Sequence, residues 1–188
     1  MSLVKSWVMD SGFTTQMAYN FFREKAPKWK PHKVVWVLNK TKRYSFLLWL
    51  TLNRRLYTRD RMRFMEGPKQ CLLCQSEEET QEHLFFECGR TKSIWQCLRK
   101  WLGITRGSTT LFSAMITIQR NTHRHHNIWK ARALTVAAAV QFIWRSRNSV
   151  LFESKTFDDK SIIVQVQKFV YSALFFYRNL REGLTEMY

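Results

Sequence analysis

Cys71-Leu-Leu-Cys74 and, after eight intervening residues, His83-Leu-Phe-Phe-Glu-Cys88 form the stretch that decides the fold of this 188-residue chain. The spacing Cys-x2-Cys-x8-His-x4-Cys supplies three sulfurs and one imidazole. Zinc takes such ligands, and structural zinc sites hold four of them in a tetrahedron. Four protein ligands leave no position for a water or a substrate, so the spacing predicts a closed structural Zn2+ site formed by Cys71, Cys74, His83 and Cys88. The alternative is that the cysteines are buried by coincidence and the histidine is solvated.

The ligand segment also predicts local structure. Residues 80–88 are typical of a short helix, on which His83 and Cys88 lie about a turn and a half apart. The apolar residues between these two ligands suit a hydrophobic core, so this helix should pack while it ligates. Cys97 lies on the next predicted helix, where we expect it to be a small buried side chain rather than a ligand.

Short motifs frame the zinc ligands on both sides. In chain order they are Phe13-Thr-Thr-Gln-Met-Ala-Tyr19, Phe46-Leu-Leu-Trp49, Arg54-Arg-Leu56, Thr58-Arg-Asp-Arg-Met62, Glu79 with His83-Leu-Phe-Phe-Glu-Cys88, and Ile143-Trp-Arg-Ser-Arg-Asn148. This ordered set resembles the zinc-binding domain at the C-terminal end of plant LINE-type (non-LTR) reverse transcriptases. The resemblance implies a retroelement-derived, zinc-stabilised module that binds nucleic acid, with no defined reaction. No polymerase portion accompanies it in this sequence.

The charge of the chain predicts its partner. The formal charge is +17 and the sequence pI is about 10.2, a balance typical of proteins that bind RNA or DNA. The charge is uneven, because residues 1–70 carry 15 Lys or Arg against 4 acids and residues 91–188 carry 15 against 5. Residues 71–90 carry one Arg against five Glu. We therefore expect the zinc segment to hold the scaffold while the basic flanks contact nucleic acid.

The candidate nucleic-acid contacts are basic residues, with one tryptophan among them, in four clusters. They are Lys28, Trp29, Lys30 and Lys33; Lys40, Lys42 and Arg43; Arg54, Arg55, Arg59, Arg61 and Arg63; and Arg145 with Arg147. Arginine can engage a phosphate through two hydrogen bonds, and an aromatic ring can stack on a base. The alternatives are that Trp29 packs on the core and that the arginine clusters are solvated helix faces.

Hydrophobic periodicity predicts a mainly α fold, with a zinc-binding helical domain in residues 1–102 and a C-terminal helical region in residues 103–188. The expected helices run from Thr14 or Thr15 to about Lys25, over residues 44–52 as a central buried helix, over residues 59–66 with Thr58 as cap, and over residues 91–102. Two apolar stripes then predict a long helical hairpin. One joins residues 129, 133, 136, 140 and 143; the other begins at Ile162, with Asp158 as its cap.

Motifs that would indicate an enzyme are missing from the sequence, which has no Gly-rich phosphate loop, no nucleophile with a recognisable base and no carboxylate cluster. We therefore expect a non-catalytic protein without a small-molecule substrate. No apolar run approaches the roughly 18 residues of a membrane span. Cysteines in a metal spacing favour a reducing, intracellular compartment, with the nucleus or cytoplasm preferred and an organelle left open.

Three functions fit these observations. The first is a nucleic-acid-binding module, with RNA favoured, that contacts the phosphate backbone through Arg- and Lys-rich helices. The second is a domesticated structural subunit of a large ribonucleoprotein, such as a ribosome, in which other proteins are also partners. The third is a protein-interaction module for an acidic partner.

Overall fold

The computed structural model describes residues 14–22, 35–36, 42–62, 67–104, 110–120 and 126–185, and they are mainly helical. The helices are α1 (Thr15–Phe22), α2 (Lys42–Leu52), α3 (Gly89–Trp101), α4 (Leu111–Arg120), α5 (His126–Glu153) and α6 (Asp159–Thr185). A π-helical turn, His83–Glu87, precedes α3. No strand occurs in the described ranges, where a single antiparallel bridge pairs Gln70 with Glu78. The predicted mainly α fold around a Cys3His group is confirmed.

Helix α5 is the centre of the fold. All residues from Ala133 to Val140 on it are buried, so helices pack on every side of this segment. Three consecutive alanines, 137–139, permit close approach because their side chains are small. Helices α2, α4 and α6 each pack against α5. The apolar sequence of α2 had predicted that α2 is the central buried helix, which is wrong, because Phe46 on its outer face is 54% exposed while Leu48 is fully buried.

The predicted hairpin of two long helices is confirmed. Ile143 on α5 and Val166 on α6 are fully buried, as the two apolar stripes require. Helix α5 ends where Ser154 adopts a left-handed φ of 53°. The Asp158 carboxylate then accepts hydrogen bonds from the N–H groups of Lys160 and Ser161, at 3.0 and 3.3 Å, which satisfies two free donors at the start of α6.

Helix α3 lies between the zinc segment and α6. Its buried residues are Thr91, Ile94 and Leu98, and its chain reverses at Gly103, whose φ of +64° suits a residue without Cβ. Arg90 makes two-pronged contact with the Asp159 carboxylate, which fastens α3 to the first turn of α6. Cys97 is exposed, so its predicted burial is wrong.

The helix predicted over residues 59–66 does not begin as expected. Residues 59–61 form a turn, and residues 63–66 lie outside the described ranges. The Thr58 hydroxyl donates to the Asp60 carboxylate instead of capping a helix, and the N–H of Arg59 donates to Glu79. Helix α1 is described to Phe22, so its predicted end near Lys25 lies outside the described residues.

Buried side chains on both sides of residue 102 belong to one hydrophobic cluster, which includes Leu48, Ile94 and Ile143. The division into residues 1–102 and 103–188 stays a prediction. Among the described helices, none is both long enough and apolar enough to cross a membrane.

Candidate zinc centre

The first two ligands lie on a tight loop, residues 70–78, which we call the zinc loop. Its ends are paired by the bridge between Gln70 and Glu78 and by a 2.6 Å hydrogen bond from the Cys71 N–H to the Glu77 carbonyl. Gln75 closes the turn with a left-handed φ of 58°, and its N–H donates to the Cys71 carbonyl at 2.8 Å. This winding brings the sulfurs of Cys71 and Cys74 to the same side of the loop.

The other two ligands lie at the two ends of a π-helical turn rather than on an α-helix. The N–H of Cys88 donates to the His83 carbonyl at 2.8 Å, a bond across five residues. On an α-helix two residues five apart point about 140° away from each other, because each residue turns the chain by about 100°. The wider turn reduces this angle, so that the side chains of Cys88 and His83 lie on the same side. The predicted helix is therefore present, but its π form is what allows both residues to face one metal ion.

One local hydrogen bond and two contacts to neighbouring helices hold the π-helical turn in place. The Thr80 hydroxyl accepts the His83 N–H at 3.0 Å, and the Gln81 amide donates to the Thr51 carbonyl at the end of α2 at 2.6 Å. The indole N–H of Trp95 on α3 donates to the Phe85 carbonyl. The turn is thus anchored on both sides by hydrogen bonds.

The four predicted ligands lie together. Their ligand atoms are all within 4.8 Å of one another, and the Sγ atom of Cys74 lies 3.3 Å from Nε2 of His83. Cys71, His83 and Cys88 are 1%, 3% and 0% exposed. Zn–S and Zn–N bonds of about 2.3 and 2.0 Å imply ligand separations of roughly 3.5–3.8 Å in a tetrahedron. Small side-chain adjustments therefore close the cluster around one ion, and the donor set fits Zn2+.

Two of the three ligand thiols, Cys74 and Cys88, have lowered pKa values, whereas the pKa of Cys71 is raised. A hydrogen bond from Cys71 lowers the pKa of Cys88 to about 5, while the same contact and burial raise the pKa of Cys71. Burial opposes ionisation of Cys74, but hydrogen bonds from Ser76, Glu77 and His83 together lower its pKa. Cys71 and Cys88 therefore share one proton in the metal-free site. Because zinc binds thiolates, metal binding displaces this proton.

Glu77 lies beside the histidine ligand. Its Oε2 atom is 3.0 Å from Nδ1 of His83, an ion-pair distance that does not meet hydrogen-bond geometry. Burial disfavours the charged imidazole, but nearby thiolates and Glu77 together raise the pKa of His83. When Nε2 binds a metal, Nδ1 carries the remaining proton, and a carboxylate facing Nδ1 fixes that tautomer.

A buried ion pair connects the zinc loop to α5. Glu79 and Arg147 are separated by 68 residues in the chain, and both side chains are fully buried. The Nε of Arg147 donates to both carboxylate oxygens, at 3.1 and 3.3 Å, and one Nη donates to Oε1. The other Nη donates to Asn148 at 3.1 Å, and the guanidinium lies over the ring of Trp144. The charge is therefore satisfied within the protein.

Glu79 also holds two backbone segments. Its Oε1 accepts the N–H of Arg59 at 3.1 Å, and its Oε2 accepts the N–H of Leu72, between the first two zinc ligands, at 3.3 Å. One carboxylate therefore fixes the zinc loop, the turn at residues 58–61 and α5 against one another. Glu79 belongs to the motif that includes His83 and Cys88, and this contact with Arg147 was not predicted from the sequence.

The assignment of Arg147 to nucleic-acid binding is wrong, because a fully buried side chain engaged by Glu79 cannot reach a phosphate. The periodicity of α5 carried the signal. The apolar stripe that reaches residues 140 and 143 continues with its next step of four at residue 147. A charged residue on a buried stripe requires a buried partner of opposite charge.

The remaining predicted contacts differ in their surroundings. Lys28, Trp29, Lys30, Lys33, Lys40 and Arg63 lie outside the described residues. Arg54 forms an ion pair with Glu82 at 2.8 Å, and Arg55 lies over the ring of Trp49. Arg59 donates a hydrogen bond to the Gln70 carbonyl at 3.4 Å, and Arg61 is exposed. Their role in nucleic-acid binding stays a prediction.

Two predicted contacts, Arg43 and Arg145, come together at Tyr44, where α2 begins and α5 nears its end, and Lys42 precedes Arg43 in the chain. Lys42, Arg43 and Arg145 are all exposed. Burial raises the pKa of the Tyr44 hydroxyl, and the nearby positive charges of Arg43 and Arg145 partly oppose that rise. The ring of Tyr44 stacks on Phe169 with centroids 4.3 Å apart, which fixes the base of this group. We call Lys42, Arg43 and Arg145 the cationic patch.

Comparison with known proteins agrees with the geometry. Residues 13–95 match the family model described as zinc-binding in reverse transcriptase. The match supports a reverse-transcriptase-associated zinc domain. It covers the zinc loop, the π-helical turn and the first part of α3. No curated protein and no solved structure matches the chain significantly.

Proposed function

We propose that this protein is a non-catalytic, zinc-containing module that binds the phosphate backbone of nucleic acid, with RNA as the favoured ligand. The observation that carries the proposal is the cationic patch. Its side chains come from two helices that pack together, all three are exposed, and among the described residues none of the three forms an ion pair. Exposed lysine and arginine attract phosphate over the range of the Debye length. The charge of Arg145 also acts on the Glu153 carboxylate, whose direct ion-pair partner is Lys155.

The zinc segment suits a supporting role. Residues 71–90 carry one Arg against five Glu, and three thiolates with one Zn2+ add about one further negative charge. Such a segment repels phosphate. Zinc instead fixes the loop and the π-helical turn, while Glu79 fixes α5, which presents Arg145. The match to a zinc domain of reverse transcriptase, an enzyme that copies an RNA template, favours RNA over DNA.

The test measures binding to single-stranded RNA, duplex RNA and duplex DNA by fluorescence anisotropy over a range of salt concentrations. Arg43→Ala with Arg145→Ala should weaken binding about tenfold and reduce the slope of log affinity against log salt by roughly 1.4–1.8, because two phosphate contacts are lost. The matched control is Lys100→Ala with Lys160→Ala, which removes two exposed positive charges on α3 and α6, and neither of these lysines forms an ion pair within the described residues. An equal effect of both pairs would show that net charge alone is at work, and the patch would be rejected.

A place in a larger ribonucleoprotein is the second candidate. Large aromatic side chains are exposed on the hairpin, with Phe152, Tyr171 and Phe175 61–68% accessible. Exposed apolar side chains are typical of surfaces that a partner covers. Tagged protein purified from its own cells under gentle conditions would carry a defined RNA and several proteins if this function holds. Recovery with heterogeneous RNA alone would favour the simpler module.

A further inference from the structure

A cavity of about 470 Å3 lies between α3, α4 and α5, next to the π-helical turn. Phe86 and Glu87, which stand between the zinc ligands His83 and Cys88, form one of its walls. Its size suits a small organic molecule, since sites for such molecules typically enclose roughly 300–1,000 Å3. Neither the zinc ligands nor the residues of the cationic patch line the cavity, so the function proposed above does not use it.

The lining of the cavity is largely apolar. Leu98 of α3, Ile118 of α4 and Val136 of α5 contribute buried side chains to it. The rings of Phe86 and Trp95, which also line it, are nearly parallel, with centroids 5.6 Å apart. Burial of a hydrocarbon group against such walls is favourable in proportion to the apolar surface that it removes from water.

The walls offer a ligand few polar partners. Three of them are α-helices, whose backbone N–H and C=O groups are bonded within each helix except at its ends. The indole N–H of Trp95 donates to the Phe85 carbonyl, and the Thr135 hydroxyl donates to the Ala131 carbonyl at 2.8 Å. A sugar, a nucleobase or a peptide backbone buried here would leave several of its own polar groups without hydrogen bonds, which is costly. The cavity therefore suits a ligand that is mainly hydrocarbon.

One buried donor among the lining residues is unsatisfied. The Nε of Arg132 is buried and forms no hydrogen bond, and Arg132 forms no ion pair within the described residues. A buried guanidinium N–H group without an acceptor is uncommon, and a carboxylate matches the fork of a guanidinium. Lys92, which is exposed, also lines the cavity, and these two cations outweigh its single acid, Glu87. Arg99 lines it too but already has a partner.

We propose that this cavity binds a free fatty acid, a single-chain hydrocarbon carboxylate, with its chain against the apolar and aromatic walls and its carboxylate bonded to Arg132. Such a ligand carries one polar group and no other, which matches a lining of apolar side chains with one unsatisfied cation. This site is independent of the proposed function, because it uses no residue of the cationic patch and no contact with nucleic acid.

Isothermal titration calorimetry of the zinc-loaded protein tests the site with hexanoate, octanoate and decanoate, each below its micelle concentration at neutral pH. One molecule should bind per chain. The affinity should rise about fourfold for each added CH2 group until the cavity is filled, because each group leaves water for an apolar wall. Octanol, which has the chain of octanoate without its charge, serves as the neutral probe.

Three variants locate the ligand. Arg132→Gln, which removes the charge but keeps a polar side chain, should weaken octanoate binding about tenfold and change octanol binding less than twofold. Ala114→Phe, which fills part of the cavity from α4 without changing charge, should weaken both ligands at least tenfold. Arg145→Gln is the matched control, because it removes an exposed arginine from α5 outside the cavity, and it should change both affinities less than twofold. Circular dichroism and thermal unfolding establish that each variant folds.

Four results would overturn the proposal. Octanoate may not bind the wild type at all; if it binds as several molecules per chain with no dependence on chain length, it only pairs with surface charges. Equal weakening by Arg132→Gln and Arg145→Gln would mean that net charge alone attracts the anion. Unchanged octanoate affinity in a folded Ala114→Phe would place the ligand elsewhere. If Ala114→Phe does not fold, Arg132→Gln decides alone, and equal loss of octanoate and octanol rejects the carboxylate contact. RNA binding is measured separately, so neither proposal falls with the other.

Discussion

The zinc segment, residues 67–90, and the hairpin of α5 and α6 are held together in different ways. In the zinc segment three of four ligands are buried, yet the loop buries few large apolar side chains and depends on hydrogen bonds to its backbone and on the metal. The hairpin buries continuous apolar stripes, including Ile143 and Val166. Burial of apolar side chains is therefore enough to stabilise the hairpin, whereas the zinc segment also needs the bound metal ion to fold.

The two regions meet at one ion pair. Glu79 belongs to the polar region and Arg147 to the apolar one, and neither side chain is exposed. Breaking a buried pair leaves an uncompensated charge, which costs more than the intact pair gains. Loss of either Glu79 or Arg147 alone should therefore destabilise both the metal centre and the hairpin. Variants on each side of the pair should measure the free energy of this coupling.

Removal of a zinc ligand should have the largest effect. Cys88→Ser should abolish stoichiometric zinc and unfold residues 70–90, because structural zinc contributes roughly 10–16 kcal/mol of apparent folding free energy. Zinc content by elemental analysis and hydrogen exchange by mass spectrometry measure the two results. Exchange should rise first in residues 70–90 and less in α5 and α6, where apolar packing remains.

Cys97→Ser is the matched control for that experiment, because Cys97 is exposed and lies outside the ligand cluster. It should retain one zinc per chain and change the free energy of unfolding by less than about 0.5 kcal/mol. Equal loss of zinc from both variants would show that the four-ligand assignment is incorrect. A chelator that leaves the unfolding transition of the wild type unchanged would contradict the structural role.

Acid should release the metal, and the pKa shifts give the direction. The pKa of Cys71 is raised, so at pH 7 this thiol keeps its proton in the metal-free site and zinc must displace it. Zinc affinity should therefore fall at least tenfold per pH unit below pH 7. The decline should steepen below about pH 5, where Cys88 also gains a proton.

The sign for Cys88 follows from the ordinary cysteine pKa of about 8.5 in an unfolded chain. Its folded pKa is lower, so its contribution to stability is complete above about pH 8.5 and is lost as pH falls through about 5. Competition with a zinc-sensitive dye from pH 4 to 8 measures the affinity on both sides of the pKa of Cys88. A pH-independent affinity would mean that the thiols are not the ligands.

Substitution in the buried ion pair should have the next largest effect. Arg147→Met keeps much of the side-chain volume but leaves Glu79 buried without its partner, which should cost about 3–5 kcal/mol of unfolding free energy. Arg145→Met, two residues away and exposed, is the matched control and should cost less than about 0.5 kcal/mol. Urea denaturation measures both.

A second variant separates burial of a charge from loss of packing. Glu79→Gln with Arg147→Met removes both charges, so it should be less destabilised than the sum of the two single variants. Coupling below about 0.5 kcal/mol would contradict the view that this pair joins the two regions. Zinc affinity should also fall in Arg147→Met, because Glu79 holds the N–H of Leu72 inside the zinc loop.

The sequence predicted local, periodic features well and long-range polar contacts poorly. The ligand spacing and the stripes of α5 and α6 are patterns within one segment, so residues 71–88 and the hairpin could be predicted. No sequence pattern indicates that the turn at His83 is π-helical. The turn takes this form because His83 and Cys88 must both face one metal ion. The contact between Glu79 and Arg147 spans 68 residues, and a single sequence does not reveal pairs at that separation.

Arg145 and Arg147 make the same point within one motif. Both were predicted to contact nucleic acid on charge alone, yet they differ in the angle at which they leave α5. Arg147 continues the buried stripe, whereas Arg145 falls outside it and is exposed. Charge predicted the kind of partner, which stays a prediction, whereas helical periodicity would have decided which of the two arginines is accessible.

The smallest expected effect concerns the start of α6. The Asp158 carboxylate accepts the N–H groups of Lys160 and Ser161, so Asp158→Ala leaves two donors at the helix end without a protein acceptor. The variant should lose about 1 kcal/mol of unfolding free energy by urea denaturation. Asp158→Asn is the matched control, since its amide oxygen can still accept these bonds, and it should lose only a few tenths of a kcal/mol from the weaker interaction with the helix dipole. Zinc affinity should be unchanged in both variants, because Asp158 belongs to the hairpin, which apolar packing stabilises. A fall in zinc affinity as large as that in Arg147→Met would mean that the two regions are coupled through α3 as well as through Glu79.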